Sequence, residues 1–184
     1  MAPAEEKPSG KLRAFLLAAG VGSRLGELTK TTPKCLLPIG GRPLLDFWFD
    51  AFAAAGVIQV LINLHHHADQ VRQYLNGKSR EFRITTLFEK SLLGSAGTIR
   101  RAWDFVGDDE NFLIVYADNF AEVDLRRLIS FHRLKENPVL SAVAYTTNEP
   151  QRCGILELDS EPHSRSLQMS GRGRLLHPLD LIRR

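Results

Sequence analysis

Cysteine is scarce in this chain. Only two of the 184 residues are cysteines, Cys35 and Cys153, and they match no metal-binding or redox spacing. This pattern favours a reducing cytoplasm over a disulfide-stabilised scaffold. A run of about 18 consecutive apolar residues is also missing, so we expect no membrane-spanning helix and no membrane partner. Residues 1–10 contain acidic residues and prolines without an apolar core, which predicts a disordered segment rather than a targeting peptide.

Excess positive charge is missing from most of the chain. The net charge is +3, and residues 160–184 account for all of it, with five arginines against Glu161 and Asp180. The rest of the chain is neutral overall, which is a poor footprint for a nucleic-acid-binding protein. We therefore expect no nucleic-acid partner and treat residues 160–184 as a basic tail of unknown structure.

Apolar runs and helical patterns alternate between residues 11 and 159. The pattern predicts strands at 11–18, 57–64, 82–88, 112–116, 139–145 and 154–158, and helices at 43–55, 68–75, 98–105 and 124–135. Strands that alternate with helices are typical of a three-layer, Rossmann-like α/β fold with a mainly parallel sheet. We expect one domain over residues 11–159.

One stretch, residues 16–44, combines glycines with two cations: LLAAGVGSRLGELTKTTPKCLLPIGGRPL. An apolar strand leads into a loop with Gly20, Gly22 and Gly26, whose backbone can approach a bulky anion and offer it consecutive N–H groups. Arg24 supplies a planar charged fork for phosphate oxygens, and Lys34 supplies a compact point charge. Two cations and a ring of amides at a strand end suit a triphosphate.

Other glycine-rich loops fit this stretch less well. A dinucleotide fingerprint needs G-x-G-x-x-G, but the third glycine here, Gly26, comes one place late. A P-loop needs a glycine followed by lysine and then Ser or Thr, which this stretch does not contain. A tight strand-to-loop turn with two solvated cations stays an alternative.

The full spacing, L-A-A-G-x-G-S-R-L followed by P-K-C-L-L-P-I-x-G-x-P-L, resembles the signature of the sugar-1-phosphate nucleotidyltransferases, or NDP-sugar pyrophosphorylases. Within that family it is similar to the mannose-1-phosphate guanylyltransferases. The resemblance covers about residues 11–159 and continues through segments 61–64, 93–98, 116–119 and 153–159. It implies a nucleotide-diphospho-sugar transferase fold. It also implies a Mg²⁺-dependent transfer of NMP from an NTP to a sugar 1-phosphate, with pyrophosphate as the second product.

The resemblance also implies site residues. Arg24 and Lys34 would be the catalytic cations, and Asp118, at the end of an apolar strand, would bind the metal. Its alternative role is to cap the following turn. The nucleotide would lie against the backbone and small side chains of two segments: Leu17, Ala18, Ala19, Gly20, Gly22 and Ser23, and Gly94, Ser95 and Gly97.

Two further polar features have competing interpretations. Glu89 could accept two hydrogen bonds from guanine, which would favour GTP, but it could equally be a solvated loop charge. The consecutive residues His65, His66 and His67 point in different directions on an extended segment, with no carboxylate or cysteine at a zinc spacing. A polar loop is therefore favoured over a metal site.

The resemblance fails after Asp159. No lysine follows Lys135, so the family's Glu-Lys-Pro step, which holds the sugar phosphate, has no counterpart, and neither has its second metal-binding aspartate. We expect the family domain to be incomplete here. The chain should then bind Mg·NTP but form little NDP-sugar, and an uncovered apolar sheet edge would favour a homo-oligomer. The rival interpretations are a non-catalytic nucleotide-binding or regulatory homologue and a molybdenum-cofactor-type nucleotidyltransferase.

Overall fold

The computed structural model describes residues 12–76, 82–109, 111–135, 138–143, 148, 155–157 and 168–170. The chain forms two compact units, residues 1–130 and 131–184. The predicted disordered segment 1–10 and most of the basic tail lie outside the described residues. No helix in the described part of the chain is long and apolar enough to cross a membrane.

The first unit is built on a four-stranded parallel sheet. Its strands are β1 (Leu12–Leu17), β4 (Val57–Leu64), β5 (Arg83–Phe88) and β6 (Phe112–Tyr116), in the order β5-β4-β1-β6. β1 pairs with β4 on one side and with β6 on the other, in register over Leu17, Asn63 and Tyr116. Because β1 is covered on both faces, its sequence is almost continuously apolar. The parallel sheet predicted from the sequence is confirmed.

The two faces of the sheet carry separate cores. Alternate residues of a strand point to opposite faces, so Leu16 joins the larger core and Phe15 the smaller one, both with 0% exposure. The larger core takes side chains from α1 (Leu44–Ala54), α2 (Ala68–Asn76) and α4 (Leu125–Arg133), and the smaller core takes them from α3 (Gly94–Arg101). Helices therefore cover both faces, which confirms the three-layer α/β fold.

A short hairpin joins the glycine-bearing loop to α1. Its strands, β2 (Pro38–Ile39) and β3 (Arg42–Pro43), pair antiparallel around Gly40 and Gly41. Both glycines have positive φ, 57° and 81°, as a two-residue hairpin turn of this kind requires. The hairpin feeds directly into α1, which begins after Pro43.

Other predicted boundaries hold to within a few residues, with one exception among the helices. The carboxylate of Asp124 accepts hydrogen bonds from the N–H groups of Arg126 (3.0 Å) and Arg127 (3.4 Å), so it caps the start of α4. The helix predicted at 98–105 instead begins at Gly94 and ends at Arg101. The N–H of Leu93, the residue before this helix, donates to the Glu89 carboxylate and fixes the start of the first turn. The glycines had suggested a loop there.

The second unit differs most from the prediction. The strand predicted at 139–145 is wrong for residues 139–143, which have no regular structure, and residues 144 and 145 lie outside the described part. The side chains in this segment are more than half exposed at Val139, Leu140 and Val143. An apolar pattern forms a strand only where a neighbouring strand pairs with it. The strand predicted at 154–158 is present as β7 (Ile155–Glu157) and pairs antiparallel with β8 (Gln168–Ser170). β8 lies beyond Asp159, where no regular pattern was predicted.

Candidate functional site

The loop after β1 leaves the sheet at the edge where all four parallel strands end. Its entry is fixed by hydrogen bonds on both sides. The N–H of Ala18 donates to Oδ1 of Asn63 at 2.7 Å, and the N–H of Ala117 donates to the carbonyl of Leu17 at 2.9 Å. Ala19 is buried, whereas Gly20 and Val21 are exposed. The predicted nucleotide-binding segment is thus held at its start and open at its tip, at the edge where open α/β sheets bind ligands.

Thr29 holds the far end of this loop. Gly22 has φ +71° and leads into a 3-10 segment, Ser23–Thr29. The Thr29 hydroxyl lies 3.0 Å from the carbonyl of Gly22 and 3.2 Å from that of Gly26. A Cβ atom on Gly22 would come within 2.8 Å of the Thr29 methyl group, so glycine is required there by both conformation and space. Sequence reasoning missed Thr29, whose only signal is a small hydroxyl residue close after Gly26.

Two of the predicted residues lie on this segment: the catalytic Arg24 and the nucleotide-binding Ser23. Their backbone belongs to the 3-10 segment, and their side chains lie outside the described part of the structure. Their roles therefore stay predictions.

Lys34 and Asp118 meet beside the loop. Lys34 Nζ lies 2.8 Å from Asp118 Oδ2, in an ion pair between residues 84 positions apart. The two side chains are 24% and 35% exposed, so solvent reaches the pair. A Cβ atom on Gly20 would lie 4.0 Å from the same carboxylate oxygen. The predicted cation, the predicted metal carboxylate and the glycine loop therefore converge on one place at the sheet edge.

The described residues fit a metal only in a limited way. Nowhere in the described part of the chain do three or more His, Cys, Asp or Glu side chains form a group that could hold a metal ion. Asp118 can offer one carboxylate. Such a site suits Mg²⁺ that arrives with a nucleotide, since Mg²⁺ keeps several waters and takes ligands from phosphates. It does not suit a resident structural metal such as zinc.

Two of the three consecutive histidines contact backbone carbonyl groups of other segments. His65 donates through Nδ1 to the carbonyl oxygen of Glu89 at 2.7 Å, and Nε2 of His67 lies 3.3 Å from the carbonyl oxygen of Thr29. His67 also has φ +54°, and the neighbouring Gln70 donates to the carbonyl of Thr31 at 2.9 Å. The start of α2 is thus fastened to the end of the glycine loop, in agreement with the polar-loop interpretation.

A cleft of about 420 Å³ opens beside these histidines. Its lining includes His65, His67, Gln70, Arg72 and Phe88, so it lies where β4 and β5 end. The Arg72 guanidinium stacks 5.3 Å from the centre of the Phe88 ring and pairs with Asp69 at 2.7 Å. The cleft therefore has a polar floor and one aromatic wall.

Glu89 is buried, with 2% exposure, so the alternative that it is a solvated loop charge is wrong. Its Oε1 atom accepts from Asn63 Nδ2 at 2.9 Å and from the Thr98 hydroxyl, and its Oε2 atom accepts from the N–H of Leu93 at 3.1 Å. Burial by itself raises the pKa of Glu89, but the hydrogen bonds from Thr98, Asn63 and Leu93 outweigh it and hold that pKa below its usual value. Each carboxylate oxygen thus accepts at least one hydrogen bond from the protein.

Gly94, Ser95 and Gly97 form the first turn of α3 rather than a loop. Gly94 is exposed, and Ser95 and Gly97 are half-buried. The Ser95 hydroxyl lies 3.0 Å from the Tyr116 hydroxyl at the end of β6, on the other side of β1 from β4. The first turn of α3 therefore lies beside the end of β6, and its nucleotide-binding role stays a prediction.

The fold and this site define the class of protein. The family model for nucleotidyl transferases matches residues 13–168, which is most of the chain. The chain therefore belongs to the nucleotidyl transferase family, among the sugar-1-phosphate nucleotidyltransferases. The match extends to residue 168, beyond Asp159, where the resemblance in sequence motifs ends.

Curated relatives are similar over most of this chain. A Sulfolobus acidocaldarius protein assigned as a mannose-1-phosphate guanyltransferase is 32% identical over 147 residues, which is 79% of this chain and 40% of that protein. The D-glycero-α-D-manno-heptose 1-phosphate guanylyltransferase of Campylobacter jejuni is 26% identical over 82% of this chain and 65% of its own length. The UTP–glucose-1-phosphate uridylyltransferase of a Synechocystis strain is 29% identical over 67% of this chain and 35% of its own length. The chain thus spans less than two thirds of each of these relatives.

Solved structures share the fold. A UDP-glucose pyrophosphorylase from Acinetobacter baumanii matches with a TM-score of 0.66 and 18% identity, over 83% of this chain and 63% of that one. HddC from Yersinia pseudotuberculosis, in its complex with GMP-PN, matches with a TM-score of 0.64 and 22% identity, over 87% and 70% of the two chains.

Proposed function

We propose that this chain binds an NTP together with Mg²⁺ at the sheet edge formed by Gly20, Lys34 and Asp118, as the nucleotide half of a sugar-1-phosphate nucleotidyltransferase. The observation that carries the proposal is the ion pair between Lys34 and Asp118 beside the glycine loop. A cation, a carboxylate and exposed loop backbone at one strand edge are the groups that a Mg·triphosphate needs.

In the proposed reaction, an oxygen of the sugar 1-phosphate attacks the α-phosphorus of the NTP. A new P–O bond forms, the bond to the bridging oxygen breaks, and pyrophosphate leaves with that electron pair. Such transfers depend mainly on positioning and charge neutralisation. Lys34 and Arg24 would neutralise phosphate charge, and the backbone from Leu17 to Gly22 would hold the nucleotide. Mg²⁺, held by Asp118, would supply further charge neutralisation when bound.

We propose GTP as the favoured nucleotide. Two of the relatives reported above are named as guanylyltransferases and one as a uridylyltransferase, so the names favour guanine without deciding the base. The first turn of α3, with Gly94 and Ser95, would form the shelf for the base and ribose. We propose no particular sugar for the acceptor. We also propose that the protein is cytoplasmic.

The test is pyrophosphate release by the 184-residue chain, with each of four NTPs against a panel of hexose and heptose 1-phosphates. Calorimetric titration of Mg·NTP runs in parallel. We expect the chain to bind Mg·NTP with a dissociation constant in the micromolar to millimolar range. We expect little turnover, because no lysine follows Lys135 to hold the acceptor phosphate. Robust turnover with any pair would show that the chain holds a complete acceptor site. Absence of binding to every NTP would overturn the proposal.

A second candidate function, a nucleotide-binding regulatory homologue, predicts the same binding. It is separated by adding the sugar 1-phosphate during the titration. An acceptor site, even a weak one, should change the apparent affinity for Mg·NTP or for a non-hydrolysable analogue, whereas a purely regulatory site should not respond.

A further inference from the structure

The buried side chain of Asn63 connects the glycine loop to α3 by hydrogen bonds to Ala18 and Thr98. It lies near the end of β4 and is 5% exposed. Its Oδ1 atom accepts from the N–H of Ala18 at 2.7 Å, and its Nδ2 atom donates to Glu89 at 2.9 Å and to the Thr98 hydroxyl at 3.1 Å. An asparagine amide has one carbonyl oxygen and two N–H donors. All of them are used, so the orientation of this amide is fixed.

Glu89 and Thr98 complete the connection. Thr98 is fully buried on α3, and its hydroxyl lies between Glu89 Oε1 and the carbonyl oxygen of Gly94, 3.0 Å away. Glu89 is anchored in turn by its own N–H, which donates to the carbonyl of Leu64 at 2.8 Å. Buried polar groups that satisfy one another in this way hold the segments around them rigidly.

Three donors converge on the Glu89 carboxylate: the Asn63 amide, the Thr98 hydroxyl and the Leu93 N–H. An ionised carboxylate has only acceptor atoms, so it can satisfy all three. A glutamine of the same size would turn an NH₂ group toward one of these donors. This arrangement explains why an acidic residue is buried here, without any contact to a nucleotide base.

We propose that Asn63, Glu89 and Thr98 are positioning residues that hold the glycine loop and the first turn of α3 at a fixed separation across the nucleotide site. These side chains would affect nucleotide affinity through the backbone of Ala18 and Leu93, an effect that rests on the proposed function. It replaces the expectation that Glu89 binds guanine. A displacement of about 1 Å between groups that hold a substrate can cost a hundredfold, so loosening the network should weaken every NTP to a similar extent.

The test compares Thr98→Val with Thr98→Ser in the full chain. Valine keeps the shape and removes the hydroxyl, whereas serine keeps the hydroxyl. Thr98→Val should weaken binding of Mg·GTP and Mg·UTP by a similar factor, about tenfold or more, and Thr98→Ser should stay within about threefold of the parent. Binding is measured at least 15 °C below the thermal midpoint of each protein, because a loss of several kcal/mol in stability lowers that midpoint by roughly 15 °C. A loss from simple unfolding is thereby avoided. Equal affinities for the valine, serine and parent proteins would overturn the inference.

Glu89→Gln separates the positioning role from a base contact. We expect it to weaken GTP and UTP alike and to leave their ratio of dissociation constants unchanged. A loss confined to GTP would overturn the positioning role and restore the base contact. Asp104→Asn is the matched control, because Asp104 is an exposed carboxylate in the turn after α3 and undergoes the same chemical change.

Amide hydrogen exchange tests the network without any nucleotide. In Thr98→Val the amides of Ala18 and Leu93, which donate to Asn63 and Glu89, should exchange about tenfold faster than in Thr98→Ser. Unchanged exchange would overturn the inference. Faster exchange in a protein that binds no NTP would confirm the linkage between the two segments and refute the proposed function instead.

Discussion

Lys34 Nζ and Asp118 Oδ2 lie 2.8 Å apart, although the two residues are 84 positions apart in the chain. The pair is partly open to solvent, so by itself it contributes little to folding stability. Its value lies in placement. Each charge holds the other at the sheet edge, and under the proposed function the phosphates and the cation of Mg·NTP would replace those partners.

Asp118→Asn should abolish most of the Mg²⁺-dependent part of NTP binding while leaving the fold intact. Asp118 follows β6 and is 35% exposed, outside both cores. Calorimetric titrations of NTP with Mg²⁺ and with EDTA should differ strongly for the parent and only slightly for the variant. Asp104→Asn is the control. If the variant keeps the parent's Mg·NTP affinity, Asp118 is not at the metal site.

Lys34→Ala should weaken triphosphate binding more than nucleoside binding, because only the triphosphate makes the charged contact. The expected difference is about 1.5–3 kcal/mol for a charge-assisted contact. Arg24→Ala should behave in the same way if its side chain reaches the phosphates. Lys30→Ala removes a nearby lysine that is 67% exposed and should change neither affinity. Equal losses for the nucleoside and the triphosphate would mean that Lys34 acts through folding.

The sequence predicted the central sheet from short-range patterns, and the family resemblance assigned Lys34 and Asp118 to one site without predicting their ion pair. Apolar runs mark parallel strands, and the ends of parallel strands share one edge. It could not predict that Thr29, Asn63 and Thr98 would tie the site together. The Thr29 hydroxyl bonds within its own loop, whereas Asn63 bonds to the backbone of Ala18, 45 residues away. Such pairs carry no periodic signal.

The two wrong expectations have the same physical origin. Glycines in 94–97 suggested a loop, yet residues 94–101 form a helix, and the N–H of Leu93 just before it donates to the Glu89 carboxylate. Val139 and Leu140 suggested a strand, but an apolar pattern does not by itself supply a pairing partner. In both cases the tertiary contacts decide the local structure.

Gly22→Ala should distort the glycine loop and weaken NTP binding. A non-glycine residue at φ +71° costs on the order of 1–3 kcal/mol, and the added Cβ would lie 2.8 Å from the Thr29 methyl group. Thermal unfolding and NTP titration measure the two effects. Gly26→Ala tests backbone strain without a steric contact, because Gly26 has φ +53° and ψ −119° and open space around it.

The methyl group of Thr29 can be removed without its hydroxyl. The double variant Gly22→Ala with Thr29→Ser should therefore recover part of the affinity that Gly22→Ala loses. If the double variant binds NTP no better than Gly22→Ala, backbone strain alone, and not the contact with Thr29, disturbs the loop.

Cys35 should make the protein less stable in mild alkali. Burial raises the pKa of the Cys35 thiol to about 12, and the nearby charge of Asp118 adds to the effect. In the unfolded chain the thiol ionises near its ordinary pKa of about 8.5. Above that pH the unfolded state loses a proton that the folded state keeps. The resulting stability is therefore complete below about pH 8.5 and declines above it, by about 1.4 kcal/mol per pH unit. Urea denaturation between about pH 7.5 and pH 10 should show this decline, and Cys35→Ala should show a smaller one. Both proteins carry Cys153→Ser, so that only one thiol titrates. Parallel pH profiles would mean that the Cys35 thiol ionises equally in the folded and unfolded chain.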